Sequence, residues 1–208
     1  MIKGNKGEWS ELYVLLRLLA YGKIYAADDQ VKKIKNVYFP ILKIIREEVK
    51  GKRLEYRIGK NEDVEIYSND IKIKSISKER LKKEADYLYN EIVNMKSRSF
   101  EIEQTEKFAN EIECYRLSAP STDKTDIKIQ IHDIHTGFEP VCGFSIKSEL
   151  GSAPTLLNAS GATNFIYEVE GINDVQMERI NALNNPKSKI MDRMEQIFLN
   201  GKVTYSRA

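Results

Sequence analysis

"DIKIQIHDIHTGFEPVCGFSIKS", residues 126–148, is the stretch from which the fold is most readily read. In its first half Ile127, Ile129 and Ile131 alternate with Asp126, Lys128, Gln130 and His132, the two-residue period of a strand with one buried face. "HTGFEP" carries the breakers Gly137 and Pro140 and is a turn. "VCGFSIKS" returns as a second strand. A turn centred near Gly137–Phe138 sets residues whose numbers sum to about 275 opposite one another, which lays Asp126 beside the Lys147–Glu149 end of the return strand. Parity then places Phe144 and Ile146 with the isoleucines in the core and leaves Asp126, Gln130, Ser145 and Lys147 together on the other face. Cys142 falls on the core side as a small hydrophobe.

Working outward, Leu12, Leu15, Leu16 and Leu19 recur at the spacing of one buried helical face, and Gly22 closes a helix over residues 8–21. The runs "YFPILKII", "LEYRI", "DVEIYS" and "IKIKSIS" follow as short strands. Leu81, Ala85, Leu88 and Ile92 mark a second helix between Lys78 and Lys96, and "QTEKFANEIE" a third. Beyond the hairpin, "NFIYEVEGI" is expected as a third strand, with "VQMERINALN" and "SKIMDRMEQIFLNG" as closing helices, the latter stopped by Gly201. The expected class is α/β, a central mixed sheet flanked by helices. It is expected as one domain over 1–208, with 1–117 an N-terminal helix and β/α elaboration and 118–208 holding the hairpin, third strand and closing helices.

With 208 residues and 41% hydrophobic side chains, the chain has the composition of a globular domain with a sizeable core. No run approaches the ~18 apolar residues of a transmembrane helix, and the N-terminus has no secretory pattern, so a cytoplasmic protein is expected. Cys114 and Cys142 match neither a zinc spacing nor a disulfide framework. The 33 basic and 31 acidic side chains leave a formal charge of +2, which argues against a polybasic tail while allowing a locally basic cleft.

An aspartate and a lysine at one end of a hairpin suit metal-assisted phosphodiester hydrolysis. The carboxylate holds a divalent cation such as Mg²⁺, and the lysine stabilises developing negative charge. One Asp is a poor cage, and the position two residues before the lysine holds Ser145, a weak ligand. Glu8 precedes Leu12 by four residues and Leu16 by eight, so it lies within the leucine stripe, where a carboxylate is costly without a partner. Glu11, at the edge of that face, is the second choice. Each residue also has a plainer reading: Asp126 as a cap, Lys147 as a snorkelling side chain, Glu8 as a helix-start acid favoured by the dipole. His132 and His135, flanking the turn, are expected to face solvent.

Two blocks, "KGNKGEWSELYVLLRLL" and "DIKIQIHDIHTGFEPVCGFSIKSELGSAPTLLNASGATNF", resemble the HpaII family of type II restriction endonucleases. The resemblance implies a PD-(D/E)XK nuclease core, Mg²⁺-dependent hydrolysis of double-stranded DNA, a homodimer, and the namesake's CCGG site. Mapped by position, it implies Asp126 and Lys147 as the catalytic acid and lysine and Glu8 as a helix-borne acid, with Ser145 standing where an acid is usual. Such enzymes are usually longer, so a C-terminally shortened chain is expected. The alternative is a catalytically inactive DNA-binding or regulatory module of the same ancestry, which Ser145 favours.

From Leu150 to Tyr167 the chain carries no Lys, Arg, Asp or Glu, although 31% of its residues are charged. With Ser148, Ser152, Thr155, Asn158 and Asn164 in or beside it, this segment is a candidate DNA-facing surface. A buried neutral connection is the competing reading. Lys3, Asn5 and Lys6, at the start of the first helix, are candidate phosphate contacts.

Overall fold

A computed structural model describes residues 2–49, 52–59, 62–118, 125–150, 166–186 and 188–207. The chain divides into two compact units, Met1–Pro154 and Thr155–Ala208.

The first unit opens with α1 (Lys6–Tyr21). Asn5 caps it: its side chain accepts from the Glu8 N–H at 3.1 Å while the Glu8 carboxylate takes the Asn5 N–H at 2.8 Å. This reciprocal box satisfies two of the orphan donors at the helix start. Gly22, at φ 64°, ends the helix in the left-handed conformation that glycine adopts without strain. Trp9, Leu12, Leu15, Leu16 and Leu19 are fully buried, each contributing roughly 1.5–3 kcal/mol of transfer free energy.

The strands follow as β1 (Lys23–Ala27), β2 (Lys33–Val49), β3 (Lys52–Ile58), β4 (Asp63–Ser68) and β5 (Ile71–Ser77). Then come α2 (Lys78–Asn94), α3 (Glu103–Glu111), β6 (Ile127–Ile131) and β7 (Val141–Phe144). The seven-stranded sheet runs β5-β4-β3-β2-β6-β7, with β1 paired to β2, and every pairing among the described residues is antiparallel. Alternation decides its faces. Ile44, Leu54, Tyr56, Val64, Ile66, Ile127 and Ile129 join the buried cluster of α1 and α2. On the opposite face Glu55, 4% exposed, receives Lys43 at 2.9 Å, Arg53 at 2.6 Å and Arg57 at 2.7 Å. Burial raises the pKa of that carboxyl, but the hydrogen bonds from Lys43 and Arg57 and the nearby positive charges outweigh it and hold it below its ordinary value.

The hairpin differs from expectation in register. Ile127 stands opposite Phe144 and Gln130 opposite Val141, four residues earlier on the return strand than a turn at Gly137–Phe138 requires. The cause is Asp133. Its carboxylate accepts the His135 N–H at 2.9 Å, its carbonyl accepts the Gly137 N–H at 2.7 Å, and its N–H bonds to the Phe138 carbonyl at 2.9 Å. The chain therefore reverses over residues 134–136.

The second unit holds β8 (Ile166–Glu170), α4 (Asp174–Ala182), α5 (Lys189–Asn200) and β9 (Lys202–Arg207). β8 pairs antiparallel with β9, Val169 opposite Val203. "NFIYEVEGI" holds a strand as expected, and its partner β9 is an element the sequence reading lacked, as it lacked β1. Gly201 lets the two strands close: a Cβ there would lie 2.9 Å from the Glu170 carbonyl oxygen. Arg193 ties α5 to the end of α4 through the carbonyls of Leu183, at 3.0 Å, and Asn181. The units part after the hairpin, which is built into the sheet through the β2–β6 pairing. No described helix is long and apolar enough to cross a membrane.

Candidate active site

The β6–β7 ladder continues past its last named pair, because the Asp126 N–H donates to the Phe144 carbonyl at 3.0 Å. At the next step the Asp126 carboxylate takes over from the backbone: its Oδ2 accepts the Ile146 N–H at 2.6 Å. The carboxylate thus lies at the end of the ladder, where a strand carbonyl would otherwise sit, and a charge-assisted bond orients it. Extending the register sets Ser145, not Lys147, opposite Asp126.

The four-residue slip is even, so the predicted faces survive it. Cys142, Phe144, Ile146 and Leu150 pack against the core cluster, while Gly143, Ser145 and Lys147 are exposed. Lys147 therefore shares the Asp126–Ser145 face, two residues farther along.

Glycine at 143 is required by its neighbour: a Cβ there would come within 2.5 Å of Thr125 Cγ2. Thr125 lies across β7 at that point, and its Oγ1 is buried without a hydrogen-bond partner among the described residues. Neither residue was singled out from the sequence, although a glycine inside a strand is the usual sign of such a close approach.

α1 reaches this end of the hairpin through two hydroxyls. Ser10 Oγ and Ser148 Oγ are 2.9 Å apart, Ser10 also donates to the Lys6 carbonyl at 2.7 Å, and Ser148 Oγ accepts the Leu150 N–H at 3.2 Å. Glu8 and Glu11 stand two residues before and one after Ser10. Both are half-buried. The partner that the position of Glu8 demanded is the Asn5 N–H, so the helix-start reading describes its resting contact.

The proposed DNA contacts divide three ways. Lys3 is exposed. Asn5 is the helix cap, Lys6 Nζ donates to the Val93 carbonyl at 3.4 Å, and Ser148 is held by Ser10. Ser152, Thr155, Asn158 and Asn164 lie outside the described residues, as does most of the uncharged segment. His132 Nδ1 lies 3.3 Å from Glu139 Oε1 beside the turn, and His135 is exposed.

Upstream of Asp126 the chain is pinned by a buried acid that the sequence reading also missed. Glu48, 1% exposed, pairs with Arg46 Nε at 2.5 Å and accepts the N–H groups of Tyr115 and Arg116, each at 3.0 Å. Arg46 donates in turn to the Arg116 carbonyl at 2.9 Å. Burial, opposed by Arg46 and aided by Glu48, pushes the Cys114 thiol up to about 11, so it is protonated at neutral pH.

Hard oxygen donors of this kind suit a divalent cation held by one or two carboxylates, waters and a substrate phosphate. Among the described residues no group of three His, Cys, Asp or Glu could close a metal cage. One or two such carboxylates fit an ion shared with a phosphate.

An α/β unit whose antiparallel sheet ends in an aspartate–lysine hairpin, tied to its first helix through Ser10 and Ser148, is the class that the fold and these side chains define. Residues 5–208 match the family described as HpaII restriction endonuclease, and the chain belongs to that family. It is 40% identical over 205 residues to the type II restriction enzyme HpaII of Haemophilus parainfluenzae, which covers 97% of this chain and 55% of that protein. The chain thus spans about half the length of the curated relative it matches. No solved structure matches it.

Proposed function

We propose that this chain is a type II restriction endonuclease, a site-specific, Mg²⁺-dependent hydrolase of phosphodiester bonds in double-stranded DNA. It acts in the cytoplasm as a homodimer on CCGG. Family membership supports the class of activity, and the observation that carries the site is the Asp126 carboxylate fixed at the ladder end beside Ser145, with Lys147 on the same face.

In this reading Asp126 holds the cation, and α1 supplies the second acid from Glu8 or Glu11. The Ser10–Ser148 contact supports that choice by joining the first turns of α1 to the segment after β7 that carries Lys147. A divalent cation held there would supply polarisation of a phosphoryl oxygen and a more acidic water. Lys147 places an ammonium where negative charge accumulates as the phosphorus is attacked, and the Ile146 N–H keeps the Asp126 carboxylate from rotating. Ser145 adds a neutral hydroxyl where a third negative charge would otherwise stand.

The same serine favours a second reading, an inactive DNA-binding module, because it leaves one acid fewer beside Asp126. One experiment separates the two. A plasmid carrying CCGG sites is incubated with Mg²⁺ and with EDTA, and the ends are mapped. Discrete cuts that require Mg²⁺ and vanish in Asp126→Ala, with metal-free DNA binding retained, are expected. Retarded DNA without cleavage under any divalent ion selects the inactive module, and cutting by Asp126→Ala at the wild-type rate overturns the site.

A further inference from the structure

β1 and the first half of β2 form a two-stranded arm. Tyr38, Phe39 and Pro40 of β2 pair with Tyr25, Ile24 and Lys23, and Lys33 with Ala27 past a bulge, while pairing with β6 begins at Ile41 and with β3 at Lys43. Over the five residues of β1 the arm extends about 13 Å. One of its faces belongs to the core, since Ile24 and Phe39 pack there. The other presents Tyr25 opposite Tyr38, with ring centroids 5.9 Å apart. Two lysines lie over these rings: Lys33 Nζ is 3.6 Å from the Tyr25 centroid, and Lys23 Nζ is 5.5 Å from Tyr25 and 5.1 Å from Tyr38.

These two cations are unlike most others of the unit. Arg17, Lys43, Arg46, Arg53, Arg57 and Lys72 each have a carboxylate partner. Lys23 and Lys33 form no ion pair among the described residues; aromatic faces hold them instead. Their field reaches the ring, and the Tyr25 phenol is held below its ordinary value, mainly through Lys23. Over residues 23–38 the arm carries four lysines against two aspartates. Asp28 is spent inside the tip, accepting the N–H groups of Gln30 at 3.0 Å and Lys32 at 2.7 Å.

We propose that this arm is a second DNA-contacting surface, on which Lys23 and Lys33, arrayed on Tyr25 and Tyr38, grip the phosphate backbone of duplex DNA flanking the cut site. The inference rests on the reading of the chain as a DNA endonuclease and adds residues remote from its hairpin. Charge complementarity selects a polyanion. The ring faces select a duplex over a single strand, because stacking of unpaired bases needs open aromatic faces and here the lysines cover them. Lysines ordered on rings before binding lose less side-chain entropy when a phosphate arrives. Along β2, Tyr38 lies seven residues from Ile45, which pairs with Lys128. Asp126 is two residues farther, so the arm meets DNA roughly 30 Å, or about nine base pairs, from the site.

The test is metal-free binding to a duplex of ~30 base pairs over a salt series, comparing wild type with Lys23→Gln/Lys33→Gln. Each lost phosphate contact removes about 0.9 from the slope of log affinity against log salt, so the slope falls by about 1.8. Between ~50 and ~200 mM salt the wild type should therefore lose about tenfold more affinity than the variant. Lys33 is exposed and Lys23 half-buried, and circular dichroism checks that the variant is folded. If the wild type binds and the variant has the same slope, the arm is not a contact while the endonuclease reading stands. Tighter binding of single-stranded than of duplex DNA also overturns the assignment. A wild type that binds no duplex at all overturns both.

Discussion

Replacing Glu48 by alanine removes the acceptor that holds the chain between α3 and the hairpin. Three donors lose their partner at once: Arg46 Nε and the N–H groups of Tyr115 and Arg116. The Arg46 side chain is 8% exposed, so its charge cannot turn to water without moving backbone. Breaking one side of a buried ion pair costs about 3–5 kcal/mol, and each orphaned buried N–H about 1–3 kcal/mol. The terms overlap, because water entering the truncated site serves more than one donor; the net expectation is about 4 kcal/mol. Domain stability is only about 5–15 kcal/mol, so much of it is lost. Urea unfolding followed by fluorescence reads this directly, because Trp9 is the sole tryptophan, fully buried, and donates to the Phe100 carbonyl at 3.2 Å. At ~2 kcal/mol per molar urea the midpoint falls by about 2 M. Arg46→Met/Glu48→Leu, which removes both charges, should recover much of the loss. A single variant destabilised by less than about 1 kcal/mol, or a double variant no better than the single, refutes the reasoning.

Glu55 predicts a pH dependence. Its folded pKa lies below its unfolded value of about 4.3, so the stability it contributes is complete above that value and is lost as pH falls through the lower folded one. Glu55→Gln should flatten the acid side of a urea-midpoint profile below about pH 4.3; an unchanged profile would remove Glu55 from the account. The two acids of α1 separate by substitution to glutamine. Glu8→Gln keeps a side chain that can serve the capping box, so stability should change by less than about 0.5 kcal/mol while the divalent ion needed for half-maximal cutting rises about 10–100-fold. If Glu8→Gln cuts normally and Glu11→Gln does not, the second acid is Glu11.

What the sequence made legible was whatever local periodicity decides. The buried faces of α1 and α2 follow from 3.6-residue spacing, and Leu12, Leu15, Leu16, Leu19, Leu81, Ala85, Leu88 and Ile92 are all buried. Four of the five strands between these helices follow from alternation, and β1 was not read. β9 and the partner of β8 were not legible, because "KVTYSR" carries too few apolar residues to announce a strand, and no local pattern says which strand another will pair with. The Glu48 clamp was hidden for a related reason. "IIREEV" reads as a strand turning polar, and only a chain segment some 67 residues later supplies the N–H groups that make a buried glutamate affordable.

The hairpin shows how a wrong register leaves a right face. An antiparallel slip changes the face of every side chain when odd and of none when even. Asp133 shifted the pairing by four, so Asp126, Ser145 and Lys147 remained on one face while the residue opposite Asp126 changed from the Lys147–Glu149 end to Ser145. That change bears on the chemistry. With a second carboxylate opposite it, Asp126 would face a like charge across the ladder, and the pair would need a cation to relieve their repulsion. Opposite a serine, Asp126 needs no such relief and is held instead by the Ile146 N–H. On the proposed reading, an ion arriving with a phosphate would meet a carboxylate already in position.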